Sequence, residues 1–270
     1  MKKILFTMLA LLALTPVFAQ KTSIMVGNVE SPSGINSRWA QTLKNQIISG
    51  LAASQRLEVA DANSFSGLSS NQAEAISQLH AAGIDCYVTA RIDSFTGKSE
   101  YSNGKTWYKS TLGYSVIVIN NATGATLGTY NTTHYGSSTE GSDAAYADAF
   151  SLVTNDMKKL INRAFRISGE IKSLQDVNPK KGVKTLYINV GSDVGVEAGN
   201  VLSPMMFDVF KEVEIAGETI QEEIGSLKVK EVKSGTLSFC TVTKGGMAIQ
   251  EAFEAGLKLT VVSRPPAIEL

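Results

Sequence analysis

Few residues in this sequence have the types and spacing that catalysis or metal binding requires. His80 and His134 are its only histidines. No group of Cys, His and carboxylate residues at metal-ligand spacing accompanies them, so we expect no metal site. No G-x-S-x-G motif lies in the chain. Because a Ser-His-Asp triad assembles in space, a hydrolase of unknown substrate stays open as a minor alternative.

Two further patterns have a chemical and a structural interpretation. Asp85 and Asp93 bracket one predicted strand; they would suit an acid–base pair of carboxylates, but solvated strand ends are the interpretation we favour. The segment 191–199 (GSDVGVEAG) has the glycines of a phosphate-binding loop. It lacks the Lys-Ser/Thr pair of a P-loop and precedes a strand, so we interpret its glycines as turn residues.

The candidate binding residues are three aromatic side chains near a polar turn. Tyr101, Trp107 and Tyr108 flank Asn103-Gly104, a dipeptide typical of tight turns. Exposed aromatic residues at such a position favour contact with a partner. The alternative, in which they pack on the sheet, stays open. No catalytic, cofactor-binding or metal residue is predicted, and no cofactor is expected.

The region around these aromatic residues predicts an antiparallel meander. In residues 85–93, Cys86, Val88, Ala90 and Ile92 alternate with polar residues, the period of a half-buried strand. A polar turn is predicted at 99–105, a second strand at 107–120 and a third at 125–133. Residues 121–124 form the turn between the last two strands.

Helices and a parallel crossover are predicted around this meander. Residues 21–30 and 57–60 predict two strands. The helix that joins them has Ser37 as its predicted N-cap and runs to about Ala53, which implies a right-handed parallel crossover. Asn71 and Glu74 suit a capping box for a helix over 72–82. Residues 136–141 predict a polar loop. Asp143 or Ser142 then caps a long helix that ends near residue 165. Its predicted core stripe is Ala149, Val153, Met157, Leu160, Ile161 and Ala164.

The C-terminal half predicts a different architecture, because helical periodicity is absent and short strands alternate with turns. The predicted strands are 170–174, 185–190, 201–206, 213–215, 225–232, 236–243 and 257–262. This spacing is typical of a small all-β barrel. The predicted class is α+β: an N-terminal mixed sheet with packed helices, in the order β-α-β-α-β-β-β-α, followed by the barrel.

The N-terminus predicts export. Lys2 and Lys3 precede the apolar run 4–14, and residues 17–19 (VFA) fit a cleavage site. We therefore predict a signal peptide at 1–19, an α/β domain at 20–166 and a barrel domain at 167–270. No Cys follows the apolar run, so a soluble exported protein is expected. Removing two lysines from 25 basic and 25 acidic residues leaves 23 and 25, a net charge of −2, which does not favour a nucleic-acid partner.

The two cysteines, Cys86 and Cys240, lie in predicted strands of different halves. Export would permit a disulfide between them. Two buried thiols are the interpretation we favour; the alternative is an inter-domain disulfide, which requires Cα atoms within about 7 Å.

Short motifs resemble known envelope proteins. Residues 50–60 (GLAASQRLEVA), 82–95 (AGIDCYVTARIDSF) and 116–124 (VIVINNATG) resemble the CsgG-like family of curli secretion channels. The same α/β fold occurs in lipoprotein activators of penicillin-binding proteins and in the N-terminal domain of TolB. Residues 190–200 and 225–243 are similar to the C-terminal β-barrel of the flagellar assembly protein FlgT. Together these motifs cover most of the chain after the signal.

The resemblance implies a role that is not enzymatic. It implies a periplasmic, or outer-membrane-associated, binding or assembly accessory whose partner is an envelope protein or an outer-membrane assembly component. The alternative that it implies is a homo-oligomeric ring subunit of a secretion or assembly system. Channel members insert amphipathic hairpins into the membrane, whereas the corresponding segment here, 100–113, is polar and short for that purpose.

Overall fold

A computed structural model describes residues 21–54, 56–61, 65, 67–69, 71–198, 205–215 and 217–265. They form a five-stranded mixed sheet with packed helices, followed by a closed six-stranded antiparallel barrel. The predicted α+β class is therefore confirmed. The predicted signal peptide lies outside the described residues, and the proposed domain boundaries stay predictions. Among the described helices, none is both long and apolar enough to span a membrane.

Within the residues that the structure describes, the first part of the chain has five strands and four helices. The strands are β1 (Thr22–Glu30), β2 (Leu57–Val59), β3 (Cys86–Ser102), β4 (Lys105–Asn120) and β5 (Thr126–Ser138). The helices are α1 (Ser37–Ala52), α2 (Gln72–Ala81), α3 (Ser142–Ser151) and α4 (Val153–Ala164). The strand order is β2-β1-β3-β4-β5. Strands β1, β2 and β3 pair in parallel, as the predicted crossover requires, and β3, β4 and β5 form the antiparallel meander.

The meander strands are longer than their sequence pattern predicts. A bulge between Ile92 and Ser94 interrupts the alternation of β3 and conceals its continuation to Ser102. The predicted turn at 99–105 contracts to Asn103 and Gly104, whose φ angles of 53° and 74° build a two-residue hairpin. The predicted loop at 136–141 is also partly wrong, because β5 runs to Ser138.

The main core lies between the sheet and the layer of α1, α3 and α4. Alternate residues of β3 and β4 are buried there, including Val88, Ile92 and Val116. An aromatic cluster continues this core toward the hairpin; its members are Trp39, Phe95, Tyr146 and Phe150. On the other face, α2 covers only the β1–β3 side through Leu79, Met25 and Tyr87. Among the described helices, none covers this same face over β4 and β5, and we call it the open side of the sheet.

Two helix predictions need correction. The long helix predicted from Ser142 or Asp143 is two helices joined at Leu152, where the Ser151 hydroxyl donates to the Asp148 carbonyl at 2.6 Å and competes with the backbone. Neither predicted residue caps it, since the N-cap is Gly141. Similarly, Asn36 rather than Ser37 caps α1.

The predicted cap of α2 is partly confirmed. The Asn71 side chain accepts from the N–H groups of Ala73 and Glu74 at 2.9 and 3.3 Å. Glu74 does not complete the box by returning to the Asn71 backbone. It accepts from Ser69 Oγ at 2.6 Å, and that same Oγ accepts from Asn71 N–H at 3.0 Å. Ser69 therefore links the Glu74 carboxylate to the Asn71 N–H, in place of the direct hydrogen bond of a capping box.

The second part of the chain closes a barrel. Its strands are β6 (Ser168–Asn178), β7 (Gly182–Ile188), β8 (Met206–Ile215), β9 (Glu218–Ser234), β10 (Leu237–Lys244) and β11 (Leu259–Ser263). They close in the order β10-β7-β6-β11-β8-β9. The interior is filled by apolar side chains, among them Leu186, Phe207, Val209 and Leu227.

Several details of the barrel differ from prediction. The break predicted between 206 and 213 is wrong, because β8 is continuous. Helix α5 (Gly246–Glu254) was not expected; it is short and buries Ile249 in the barrel core. Predicted residues 201–204 lie outside the described part of the chain.

Both cysteines are free and buried, as the favoured interpretation predicts. Cys86 belongs to the sheet core and Cys240 to the barrel core. Burial, aided for Cys86 by the charge of Asp85, raises the pKa of the Cys86 thiol to about 11 and that of Cys240 to about 12.

Arg56 lies at the junction between sheet and barrel. Its Nη1 donates to the Phe165 carbonyl at 2.8 Å, and Nη2 donates to Asn162 Oδ1. A Cβ placed on Gly195, in the turn after β7, would lie 3.1 Å from Arg56 Nε. Burial lowers the pKa of the Arg56 guanidinium, while the charge of Glu197 opposes this effect. One side chain therefore joins the segment before β2, the end of α4 and a barrel turn.

Candidate partner-binding hairpin

The three predicted aromatic residues lie at the end of the β3–β4 hairpin. We call residues 99–108 the hairpin tip. Strand β5 pairs with β4 only up to Tyr108, opposite Ser138. Most of the tip therefore has two strands, and no other described strand pairs with either edge. Tyr101 is 75% exposed and Trp107 is 37% exposed, whereas Tyr108 is half-buried. The tip thus places large aromatic side chains in solvent, where they contribute little to the core.

The strand register divides these aromatic residues between two faces. Tyr101 lies opposite Thr106, Glu100 opposite Trp107, and Ser99 opposite Tyr108. Directly opposed residues of an antiparallel pair point to the same side, and the side alternates along the strand. Tyr101 and Tyr108 therefore lie on the helix-covered side of the sheet and Trp107 on the open side. A single three-residue cluster, as the sequence suggested, does not form.

A shallow concavity adjoins Trp107 on the open side. It has a volume of about 610 Å³ and spans β3, β4 and β5. Its side chains on this face are Thr96, Lys98, Lys109, Thr111, Tyr135 and Ser137. Tyr135 is 74% exposed. We call this set together with Trp107 the open-face patch. Hydroxyl groups, ammonium groups and aromatic rings there offer donors and flat apolar surface to a polar partner.

One ion pair organises the patch near the tip. Lys109 Nζ lies 2.6 Å from Glu100 Oε2, and Glu100 is directly opposite Trp107. The hydrogen bond from Lys109 and its charge lower the pKa of the Glu100 carboxyl. Because both side chains are solvated, this pair orients the patch more than it stabilises the fold.

A buried polar cluster, which sequence analysis did not predict, lies beneath the opposite face. Asp156 of α4 accepts hydrogen bonds from Tyr114 and Tyr130, each at 2.7 Å, and its Oδ2 is hydrogen-bonded to His134 Nε2. Asp156 is only 3% exposed. The sequence could have indicated this buried carboxylate. Asp156 is a charged residue on the apolar stripe of its helix, three residues after Val153 and four before Leu160.

The hydrogen bonds decide the charge state of this cluster. Burial acts to raise the pKa of Asp156, but the bonds from His134, Tyr114 and Tyr130, with the charge of His134, outweigh it and lower the pKa. Burial and the hydrogen bond to Asp156 raise the pKa values of Tyr114 and Tyr130. A carboxylate held by three donors and shielded by the core ties β4, β5 and α4 together.

The other residues considered from sequence do not meet at one site. His80 is exposed in the last turn of α2, whereas His134 lies within β5. Asp85 accepts from Ser23 N–H and Oγ at 2.8 and 2.9 Å, and Asp93 pairs with Arg91. Eight residues of extended strand put the two carboxylates about 26 Å apart, too far for the acid–base pair.

The glycine-containing segment serves as a turn, as interpreted. It includes the 3₁₀ turn Ser192–Val194 and Gly195 at φ 76°. Asp193 N–H donates to the Gly235 carbonyl at 2.9 Å, which holds the segment against the β9–β10 turn. In the described part of the chain, no group of three His, Cys, Asp or Glu residues is arranged to hold a metal ion.

Comparisons with known proteins show partial structural likeness only. No family model and no curated protein matches the chain. Similar solved structures include the PelC dodecamer from Paraburkholderia phytofirmans, with 13% identity over 51% of this chain and 86% of that chain and a TM-score of 0.36. Lipoprotein GNA1162 from Neisseria meningitidis has 14% identity over 51% and 98%, with a TM-score of 0.37. The LpoB C-terminal domain from Salmonella enterica has 14% identity over 42% and 81%, with a TM-score of 0.30. The CsgG-like and FlgT-like assignments stay predictions.

Proposed function

We propose that this chain is a non-enzymatic, exported envelope protein that binds another envelope component through the hairpin tip. The observation that carries the proposal is the exposure of Tyr101 and Trp107 on a hairpin that extends past its neighbouring strand. The signal-like N-terminus and the family resemblance support the compartment and the accessory role. The proposed partner is an envelope protein or outer-membrane assembly component.

The two faces of the tip suit a partner that contacts both. Trp107 lies beside Lys98, Lys109 and Glu100 on the open side, and Tyr101 lies on the other. Aromatic side chains give a large contact area for little conformational entropy, and they dominate many interfaces when a partner covers them. The surrounding charges then orient the partner and exclude mismatched surfaces.

The decisive experiment compares two exposed apolar residues of the same sheet face. Trp107 and Ile117 are each 37% exposed, and both point to the open side of β4, but Ile117 is far from the tip. The natural chain is cross-linked in living cells and its partner identified. Trp107→Ala is expected to weaken binding of that purified partner by about 30-fold or more, the scale of an interface hot spot. Ile117→Ala should bind as the natural chain does.

Thermal unfolding of each variant separates binding from packing. Equal midpoints for the natural chain and Trp107→Ala, combined with lost binding, support a docking role. If Trp107→Ala lowers the midpoint and retains full binding, Trp107 is a packing residue and the proposed interface is wrong.

A further inference from the structure

In the described part of the chain, β5 is an edge strand without the usual protection against pairing. It spans 13 residues, Thr126–Ser138, and its sequence TLGTYNTTHYGSS contains no Lys, Arg, Asp, Glu or Pro. The opposite edge strand, β2, has only three residues. Natural sheets commonly protect a long edge with charge, proline or a covering segment, because an unpaired edge can accept another strand.

One hydrogen bond shows which groups of β5 point away from the sheet. Ser137 N–H donates to Asp148 Oδ2 of α3 at 3.0 Å, so it is directed away from β4. The β4–β5 register is regular from Gly128 to Ser138, and the direction alternates along a strand. Thr129, Asn131, Thr133 and Tyr135 therefore direct their N–H and C=O groups outward, and all four are exposed. Within the described residues, these backbone groups have no hydrogen-bond partner in the chain.

We infer that a second copy of this chain pairs with β5 in antiparallel orientation, with a two-fold axis at Thr132. In this register Thr129 lies opposite the second copy's Tyr135, and Asn131 opposite its Thr133; symmetry repeats both pairs. The four outward-directed residues of one copy therefore lie opposite the same four residues of the other copy. Each opposed pair exchanges two backbone hydrogen bonds. The two five-stranded sheets become one continuous sheet of ten strands.

The side chains of β5 favour its own copy as the occupant. On the open face, the register brings hydroxyl and amide groups together and sets the 74% exposed Tyr135 ring against a threonine; both are favourable cross-strand pairs. No like charges meet, because β5 carries no Lys, Arg, Asp or Glu. The next outward N–H, that of Ser137, already donates to the Asp148 carboxylate. The new ladder is therefore limited to residues 129–135.

A proline at an outward position tests the pairing. Thr133→Pro removes an N–H that β4 does not use, so the monomer should keep its fold. The purified natural protein is expected to form dimers in sedimentation and light scattering as concentration rises. Thr133→Pro should weaken dimerisation at least tenfold, while the matched Thr133→Ala, which keeps the N–H, should dimerise as the natural chain does. A natural protein that stays monomeric throughout, or a Thr133→Pro variant that dimerises normally, overturns the inference.

A cysteine pair tests the register independently of stability. At the axis, Thr132 faces its own counterpart with Cα atoms about 4.5 Å apart, within disulfide range. Under mild oxidation, Thr132→Cys should therefore form a covalent dimer. Thr129→Cys should not, because six residues of strand separate it from its counterpart by about 20 Å. The native cysteines are buried and do not compete. Cross-linking through residue 129 but not 132 contradicts the proposed register.

Discussion

At the scale of single residues, Asp156 is expected to contribute strongly to the stability of the fold. It is the common acceptor for Tyr114, Tyr130 and His134. Asp156→Ala removes the common acceptor of two buried hydroxyls, those of Tyr114 and Tyr130, and of the half-buried His134 ring, so we expect a loss of about 3 kcal/mol or more of unfolding free energy. Urea denaturation measures it. The exposed Asp143, which pairs with Arg38, is the control: Asp143→Ala should cost at most about 1 kcal/mol.

The same carboxylate predicts a pH dependence with a definite sign. The pKa of Asp156 is lowered from an ordinary 3.8 in the folded state. Its contribution to the free energy of unfolding is therefore complete above that value and is lost as pH falls through the folded pKa. Asp156→Asn cannot take up this proton. The stability difference between the natural chain and Asp156→Asn should therefore narrow as pH falls from about 5 toward 3. A constant difference down to pH 3 would contradict the assigned role.

The residue scale also shows why the polar cluster escaped prediction. Sequence periodicity identifies which positions are buried, and it placed the stripe of α4 correctly. It does not reveal that Tyr114, Tyr130 and Asp156, which are 16 to 42 positions apart, share one hydrogen-bond network. Likewise, the aromatic character of the tip was readable, but its division between two faces required the pairing of Glu100 with Trp107.

At the scale of elements, Gly136 lets α3 lie directly on β5. A Cβ at this position would be 2.0 Å from the Ala145 carbonyl oxygen and 2.7 Å from the Ala149 nitrogen. Because both neighbours are backbone atoms, Gly136→Ala must push the helix away, and we expect a cost of about 1–3 kcal/mol. Chemical denaturation checks it. As a comparison, Gly124→Ala has open space but a φ of 70°, so its smaller cost of about 1 kcal/mol comes from backbone strain alone.

Element lengths were the least predictable part of the fold. Strand identity, the parallel crossover and the barrel all followed from hydrophobic period and turn residues. The predicted ends of elements were wrong where a local irregularity interrupted the hydrophobic pattern. These irregularities are the bulge in β3, the break at Ser151 before α4, and the close approach of α3 at Gly136. Each depends on tertiary contacts, which a one-dimensional period does not contain.

At the scale of the whole molecule, Arg56 lies between two separate hydrophobic cores: its hydrogen bonds go to Phe165 and Asn162 of the first part, and Gly195 of the barrel lies against its side chain. Arg56→Ala removes its bonds to the Phe165 carbonyl and Asn162, which should cost about 2 kcal/mol because one partner in each bond is charged. Calorimetry of the intact chain should show a lower midpoint and a broader transition as the cores unfold less cooperatively. The exposed neighbour Arg166 provides the control, and Arg166→Ala should leave the transition unchanged. An equal response from both variants would show that Arg56 does not join the cores.

The bulge between Ile92 and Ser94 determines whether odd- or even-numbered residues of β3 face the helices beyond it. Even-numbered residues face the helices before it, and odd-numbered residues, from Phe95 to Tyr101, face them after it. The structural effect of an insertion or deletion in this stretch therefore depends on whether it changes the length by one residue or by two. A two-residue change lengthens or shortens the hairpin and keeps both of its surfaces. A one-residue change exchanges the surfaces and moves Phe95 out of the core, so lineages should vary this hairpin in steps of two.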